Sequence, residues 1–216
     1  MATKRRKLGN PLALAVMVLL TERPMHPYEI AQTLRRRGKD TSLKINYGSL
    51  YTVVQNLEKH GFVEVAEVQR QGNRPERTLY GITDAGREEA AEWLSDLLAV
   101  PVAEFPIFGA ALSLMGALHP EEVARLLAER LGSLEVRAAS LRGVLDKLHE
   151  TLPRLFLIES EYELHMVEAE AAWVRGILAE LRVGTFPGVR EWRTFRETGE
   201  IPEEYRKAEG GDVNGP

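Results

Sequence analysis

Hydrophobic positions change period several times along this chain, and each change marks an element. From Leu12 to Leu20 nearly every residue is apolar, the pattern of a helix packed by several neighbours. Pro11 suits its first turn and Pro24 ends it. Pro27 opens a second helix to about Arg37, where Arg35, Arg36 and Arg37 complement the helix dipole and Gly38 supplies a left-handed cap. A third helix, about Tyr47 to His60, has Asn46 as its N-cap and Gly61 as its stop. At about 100° per residue, Leu50, Val54 and Leu57 share one face, while Gly48, Thr52, Gln55 and Lys59 fall opposite. One side is built for a core and the other for a hydrophilic surface.

The period then shortens to two. Val63 and Val65, and after a slip Val68, alternate with Glu64 and Glu67, and Leu79 and Ile82 resume the pattern beyond a polar loop from Gln69 to Pro75. This predicts a two-stranded hairpin. Thr83 and Asp84 start a fourth helix, Ala85 to about Leu98, expected to bury Ala90, Trp93, Leu94, Leu97 and Leu98. After Pro101 and Pro106 comes a short apolar helix, Ile107 to Leu118. A long helix follows Pro120, with Leu127, Leu131, Leu134, Ala138, Leu141, Leu145, Leu148 and Leu152 at alternating spacings of four and three, a heptad signal. Gly132 and Gly143 weaken it by about 1 kcal/mol each relative to Ala, so partners must support it. A second long helix, Arg154 to Leu181, carries Ile158, Tyr162, Met166, Ala169, Trp173, Ile177 and Leu181 as its stripe. Glu159, Glu161, Glu163, Glu168 and Glu170 then read as its solvated face. From Gly184 the polar chain reads as a loosely ordered tail in which Trp192 and Phe195 can dock back. The fold class is mainly α with a small β-hairpin, divided as 1–99, 100–183 and 184–216.

Composition narrows the function. The 216 residues are 44% hydrophobic and 28% charged, an ordinary globular balance. With no cysteine, disulfides, thiolate metal sites and a Cys nucleophile are excluded, which suits a reducing compartment. The net charge of −4 conceals an asymmetry: residues 1–90 hold 15 Lys/Arg against 10 Asp/Glu, and residues 91–216 hold 13 against 22. A basic front half directs attention to nucleic acid. Lys4 to Lys7 ahead of the first apolar run imitate a secretory signal. No small-residue cleavage site follows, and the run is far shorter than the ~20 residues of a membrane span, so a cytoplasmic, nucleoid-associated protein is expected. The histidines at 26, 60, 119, 149 and 165 have no metal-ligand spacing, and neither a nucleophile with its base nor a phosphate loop is present. An enzyme is not expected, and no cofactor.

Three helices, a hairpin and a bracing helix follow the order of a winged helix-turn-helix, which lays its third helix in the major groove and its wing along the backbone. Gly48 permits close approach, Ser49, Tyr51 and Thr52 offer hydroxyls, and Lys44, Lys59, Arg74, Arg77 and the Arg35 to Arg37 cluster can neutralise phosphates. Here the residues resemble the PadR family of transcriptional regulators. The run Ile45-Asn46-Tyr47-Gly48-Ser49-Leu50-Tyr51, then Leu57 to Val63, Arg74-Pro75-Glu76-Arg77 and Tyr80 to Arg87 carry the likeness, with Met25 to Ile30 similar to the family's second-helix opening. It covers about residues 8 to 183. Departures stand at Tyr47, where proline is frequent, at Asn73, where glycine is common, and at Gly81, where a larger polar residue is usual.

The resemblance implies a homodimeric regulator, usually a repressor, released from double-stranded DNA by a small molecule or stress cue, and two third helices held at a fixed separation by a dimer predict an inverted-repeat operator. DNA contacts are then expected from Arg35, Arg36, Lys44, Asn46, Tyr47, Gly48, Ser49, Tyr51, Thr52, Gln55, Lys59, Asn73, Arg74 and Arg77. Dimer contacts are expected from Leu127, Leu131, Leu134, Leu141, Leu145, Leu148, Ile158, Tyr162, Met166, Trp173 and Ile177. Trp93 and Trp173 are candidates to meet a small hydrophobic or aromatic effector. Each has a plainer reading: the arginines as a solvated run, the heptad as a hairpin within one chain, the tryptophans as core. The rival class is a helical adaptor without DNA-binding activity.

Overall fold

A computed structural model describes residues 9–40, 43, 45–69 and 77–200. Lys4 to Lys7, the loop tip with Asn73 and Arg74, Lys44, and the last sixteen residues lie outside them. The chain divides into two compact units, Met1–Glu104 and Phe105–Pro216.

The first unit contains α1 (Pro11–Leu20), α2 (Pro27–Arg36), α3 (Tyr47–Lys59), the antiparallel strands β1 (Val63–Gln69) and β2 (Arg77–Ile82), and α4 (Asp84–Ala99). Its termini follow from local chemistry. Asn10 accepts from Leu12 N at 3.0 Å and Asn46 accepts from Gly48 N at 3.0 Å, each silencing a free amide at a helix start. Gly38 and Gly61 take φ of 69° and 75°, a conformation costly for residues bearing a Cβ. Seven of ten α1 residues are buried, with Leu50, Val54 and Leu57 of α3 packed in the same core. In the hairpin, Val63 pairs with Ile82 and Gln69 with Arg77, and the predicted slip is an irregularity between Val65 and Glu67. One feature escaped the sequence: Met25 forms a bridge to Tyr80, bonded at 3.0 Å in both directions.

The fourth helix requires a correction. Ala90 and Trp93 are buried, but Leu94, Leu97 and Leu98 are exposed at 43%, 45% and 81%. At 16 residues α4 outruns the ten-residue α1 packed against it, by about 9 Å at 1.5 Å per residue.

The second unit contains α5 (Ile107–Leu114), a 3₁₀ turn (Met115–Ala117), the 30-residue α6 (Pro120–His149), a second 3₁₀ turn (Arg154–Phe156), α7 (Ile158–Val183) and α8 (Val189–Thr198). Helices α6 and α7 pack as an antiparallel hairpin. Arg130–Glu170 and Arg137–Glu163 cross one flank of the seam and Glu135–Arg175 and Arg142–Glu168 the other, and on each flank the α7 partner recedes as the α6 residue advances. Glu163, Glu168 and Glu170 therefore flank this seam rather than forming a purely solvated face, and Glu161 pairs with Arg154 and His149.

Two expectations change with this packing. Leu127, Leu134 and Leu145 are buried within the chain, with Leu131 and Leu141 packed half-buried against the cluster that holds Leu127 and Leu134. Their apolar surface is covered inside one protomer because α7 lies against it. On α7 the buried face is Val167, Ala171, Val174, Leu178 and Leu181, whereas Ile158, Tyr162, Met166 and Trp173 are 53%, 66%, 50% and 48% exposed. The stretch expected as a loose tail instead includes α8. Trp192 is buried there and its indole N–H donates to Leu118 O at 2.9 Å, while Arg193 pairs with Glu121. An indole that buries its body while satisfying its one donor is sufficient reason for a short helix to dock. Among the described residues no helix is long and apolar enough to cross a membrane.

Candidate nucleic-acid interface

The polar side of α3 emerges intact from the fold. Gly48, Ser49, Tyr51, Thr52, Gln55 and Lys59 are all exposed, on the side away from Leu50, Val53, Val54 and Leu57. The small hydroxyls are held by the helix itself: Ser49 Oγ donates to Asn46 O at 2.8 Å and Thr52 Oγ1 to Gly48 O at 3.3 Å. Both oxygens keep a lone pair for an outside donor, and Gln55 and Lys59 project from the next turns. Asn46 is engaged as the cap, so its carboxamide oxygen serves α3 before any ligand.

The arginine cluster separates into different roles. Arg37 makes a two-pronged pair with Glu22 at 2.6 and 2.8 Å, which holds the Glu22 carboxyl below its usual range. Arg36 donates to Thr33 Oγ1 at 3.1 Å. Arg35 reaches toward α3: its Nη2 donates to Ile45 O at 3.1 Å and its guanidinium lies 4.4 Å from the centre of the Tyr47 ring. Tyr47 in turn stacks on Tyr28, with centroids 5.3 Å apart and planes at 15°.

Beside this stack His26 caps α2, its Nδ1 accepting from Tyr28 N at 3.1 Å, and its ring meets the exposed Tyr51 edge-on at 6.1 Å. Burial first, then the nearby Arg77 charge, lowers the His26 pKa, with Glu29 pulling the other way. The neutral ring is also what the cap requires, since a protonated Nδ1 cannot accept. Arg77 is exposed at the start of β2, its charge felt by His26 at the start of α2.

Of the expected DNA contacts, Gly48, Ser49, Tyr51, Thr52, Gln55, Lys59 and Arg77 lie on exposed surface, Asn46 and Arg35 are tied into the fold, and Arg36 is exposed beside Thr33. Lys44, Asn73 and Arg74 lie outside the described residues. Sequence reasoning missed Tyr28 and His26 as parts of this surface. The available signal was spacing: Tyr28 and Arg35 are seven residues apart on α2 and so share a face.

The candidate effector residues belong to different units. Trp93 is 5% exposed inside the core of the first unit, and Trp173 is half-exposed in the second, edge-on to Phe108 at 6.2 Å. Neither lines the groove of about 360 Å³ between α6 and α7, bounded by Glu135, Ala138, Arg142, Glu168, Ala171 and Arg175. Among the described residues no group of His, Asp and Glu could hold a metal ion.

Known proteins of similar sequence and fold exist. Residues 16–92 match the model of the transcriptional regulator PadR-like family. The negative transcriptional regulator PadR of Bacillus subtilis is 22% identical over 177 residues, covering 78% of this chain and 96% of that protein. Its crystal structure with operator DNA superposes with a TM-score of 0.64 at 20% identity, over 80% of this chain and 99% of that one. The same protein in complex with p-coumaric acid gives 0.64 at 19% identity, over 79% and 98%. The Vibrio cholerae virulence activator AphA gives 0.60 at 21%, over 80% and 98%.

Proposed function

We propose, from the match of residues 16–92 to the transcriptional regulator PadR-like family, that the protein is a homodimeric repressor that binds an inverted-repeat operator in the nucleoid and leaves it when a small aromatic effector binds. The observation that carries the DNA-binding part is the two-sided α3, buried through Leu50, Val54 and Leu57 and presenting Thr52, Gln55 and Lys59 to solvent, with Arg77 also exposed, at the start of β2. Laid in the major groove, Thr52 and Gln55 face base edges, with Gln able to pair bidentately with adenine. Gly48 lets the backbone approach, and Lys59, Arg77, Lys44 and Arg74 meet phosphates.

Dimerisation is supported by the bare face of α7. Ile158, Tyr162, Met166 and Trp173 are each at least 48% exposed, opposite the face that packs on α6, and Phe105, Ile107 and Leu114 are 93%, 88% and 72% exposed. So many large apolar side chains in the open mark an interface. A second copy covering them sets two α3 helices at a fixed separation, with half-sites about 10 base pairs apart or a multiple of that. An effector lodged beside Trp173 at such a seam would alter the separation, and a coupling of about 1–3 kcal/mol is enough for a useful switch. The Bacillus subtilis relative solved with p-coumaric acid supports an aromatic effector class.

The test is selection of bound fragments from genomic DNA, followed by fluorescence anisotropy on the enriched sequence with and without small aromatic acids. A shared inverted repeat, bound by a dimer in sedimentation and released by one of the acids, is the expected result. A monomer with no affinity for any duplex at low salt overturns the proposal.

A further inference from the structure

The recognition helix is set against α2 by a stack that the base-reading account does not use. Tyr28 and Arg35 stand two turns apart on α2, and the Tyr47 ring, at the first position of α3, packs against both. Its centre is 5.3 Å from the Tyr28 ring and 4.4 Å from the Arg35 guanidinium carbon. Seven helical residues rise about 10.5 Å, a separation across which one ring can touch both side chains. Arg35 also fastens the segment before α3 through Ile45 O at 3.1 Å. Arg35 therefore has its planar face and one donor committed to α3, and the Tyr47 ring is committed to α2.

We propose that Tyr47 is a positioning residue which, inserted between Tyr28 and Arg35, fixes the pitch of α3 for DNA and does not itself choose bases; Tyr28 and Arg35 belong to the same device. This rests on the DNA-binding reading above. Proline at the start of a helix stiffens one backbone position only, whereas this aromatic sandwich ties α3 to two turns of a neighbouring helix. Specific binding requires the polar side of α3 to arrive at the base edges with a defined angle. Phosphate attraction by itself does not. Loss of the stack therefore weakens operator binding more than nonspecific binding and leaves base choice alone.

The experiment measures affinity of the full-length chain for its selected operator and for unrelated duplex, as a function of salt, and repeats the selection with each variant. Tyr47→Phe keeps the ring and is expected to bind like wild type. Tyr47→Ala and Tyr28→Ala are expected to lose about tenfold in operator affinity, the scale of one stacking or cation–π contact, with the consensus and the salt slope unchanged. Arg35→Lys keeps the charge but loses the planar stack, so it should fall by a similar factor, and Arg35→Lys combined with Tyr47→Ala should fall little further. Tyr28→Ala removes a half-exposed ring outside the core and remains informative if Tyr47→Ala does not fold. A changed consensus in Tyr47→Ala, full affinity in Arg35→Lys, or a salt slope reduced by about one in Arg35→Gln would instead make these residues direct DNA contacts and overturn the proposal. If wild type binds no duplex, the DNA-binding reading falls and takes the proposal with it; wild-type binding with any of those three results removes the proposal alone.

Discussion

Gly86 offers the sharpest stability test of the winged unit, because its lack of a side chain is required by a backbone atom. It is buried in the first turn of α4, where its N–H donates to the capping Thr83 Oγ1 at 3.1 Å. Thr83 is in turn fastened to the end of α3: its N–H donates to Phe62 O at 3.1 Å and its hydroxyl to Gly61 O at 2.7 Å. A Cβ at position 86 would stand 2.9 Å from both the Phe62 carbonyl carbon and Ile82 Cγ1, and nearer still to the Phe62 oxygen. That oxygen accepts from Thr83, so it cannot swing away without losing the bond. Overpacking costs about 1–3 kcal/mol, the weakened cap about 1 and the strained bond about 1, while alanine's better helix propensity returns about 1. Gly86→Ala is expected to destabilise the first unit by about 2–4 kcal/mol, or roughly 10–20 °C in Tm for a unit of this size. Thermal unfolding followed by far-UV circular dichroism and by fluorescence of the buried Trp93 measures it. A Tm equal to or above wild type, the outcome for a glycine at an open helical site, would refute the close approach of α4 to Phe62.

Other outcomes are expected elsewhere. Thr52→Val and Gln55→Ala should change which bases are selected, each by about 1–3 kcal/mol at one position, while Lys59→Ala and Arg77→Ala should weaken all sequences and flatten the salt slope by about one each; affinity titrations across salt separate the classes. Because burial and then Arg77 hold His26 below its ordinary value of 6.5, the folded state favours the neutral ring. Its contribution is complete above that value and declines as the pH falls below it. His26→Asn, which retains a capping side chain, should flatten the pH dependence of Tm between about pH 7 and 5. Gly143, inside α6 with nothing within 4 Å of a built Cβ, should gain about 0.5–1 kcal/mol in thermal unfolding as Gly143→Ala; a loss would place a second chain against that face. Trp192→Phe leaves Leu118 O and Gly116 O without their indole donor and should cost about 1–2 kcal/mol in urea unfolding.

Elements with a single buried side were legible in the amino-acid order, and elements with two were not. The wheel of α3 assigned Leu50, Val54 and Leu57 to the core because the opposite positions are small or polar, and the hairpin's slip showed in its broken alternation. The Met25–Tyr80 bridge was invisible because a single residue has no period. Tyr47 was legible as a candidate DNA contact but not as a packing partner of α2, since its neighbours Tyr28 and Arg35 are local only on a different helix. The harder case is α7, which is apolar on opposite faces. Periodicity selected the Ile158, Tyr162, Met166, Trp173 stripe and could not say which face belonged to its own chain. Charge decides it. Glu163, Glu168 and Glu170 reach Arg137, Arg142 and Arg130 along the seam, and pairs with both partners on the flanks fix two helices side by side with Val167, Ala171 and Val174 between them. Within each flank the numbers run in opposite order, Arg130–Glu170 then Arg137–Glu163 on one and Glu135–Arg175 then Arg142–Glu168 on the other, and so encode the antiparallel hairpin. Once that hairpin accounts for one face, the large apolar side chains on the other have no cover within it, and that uncovered stripe is the physical reason to expect a second protomer there.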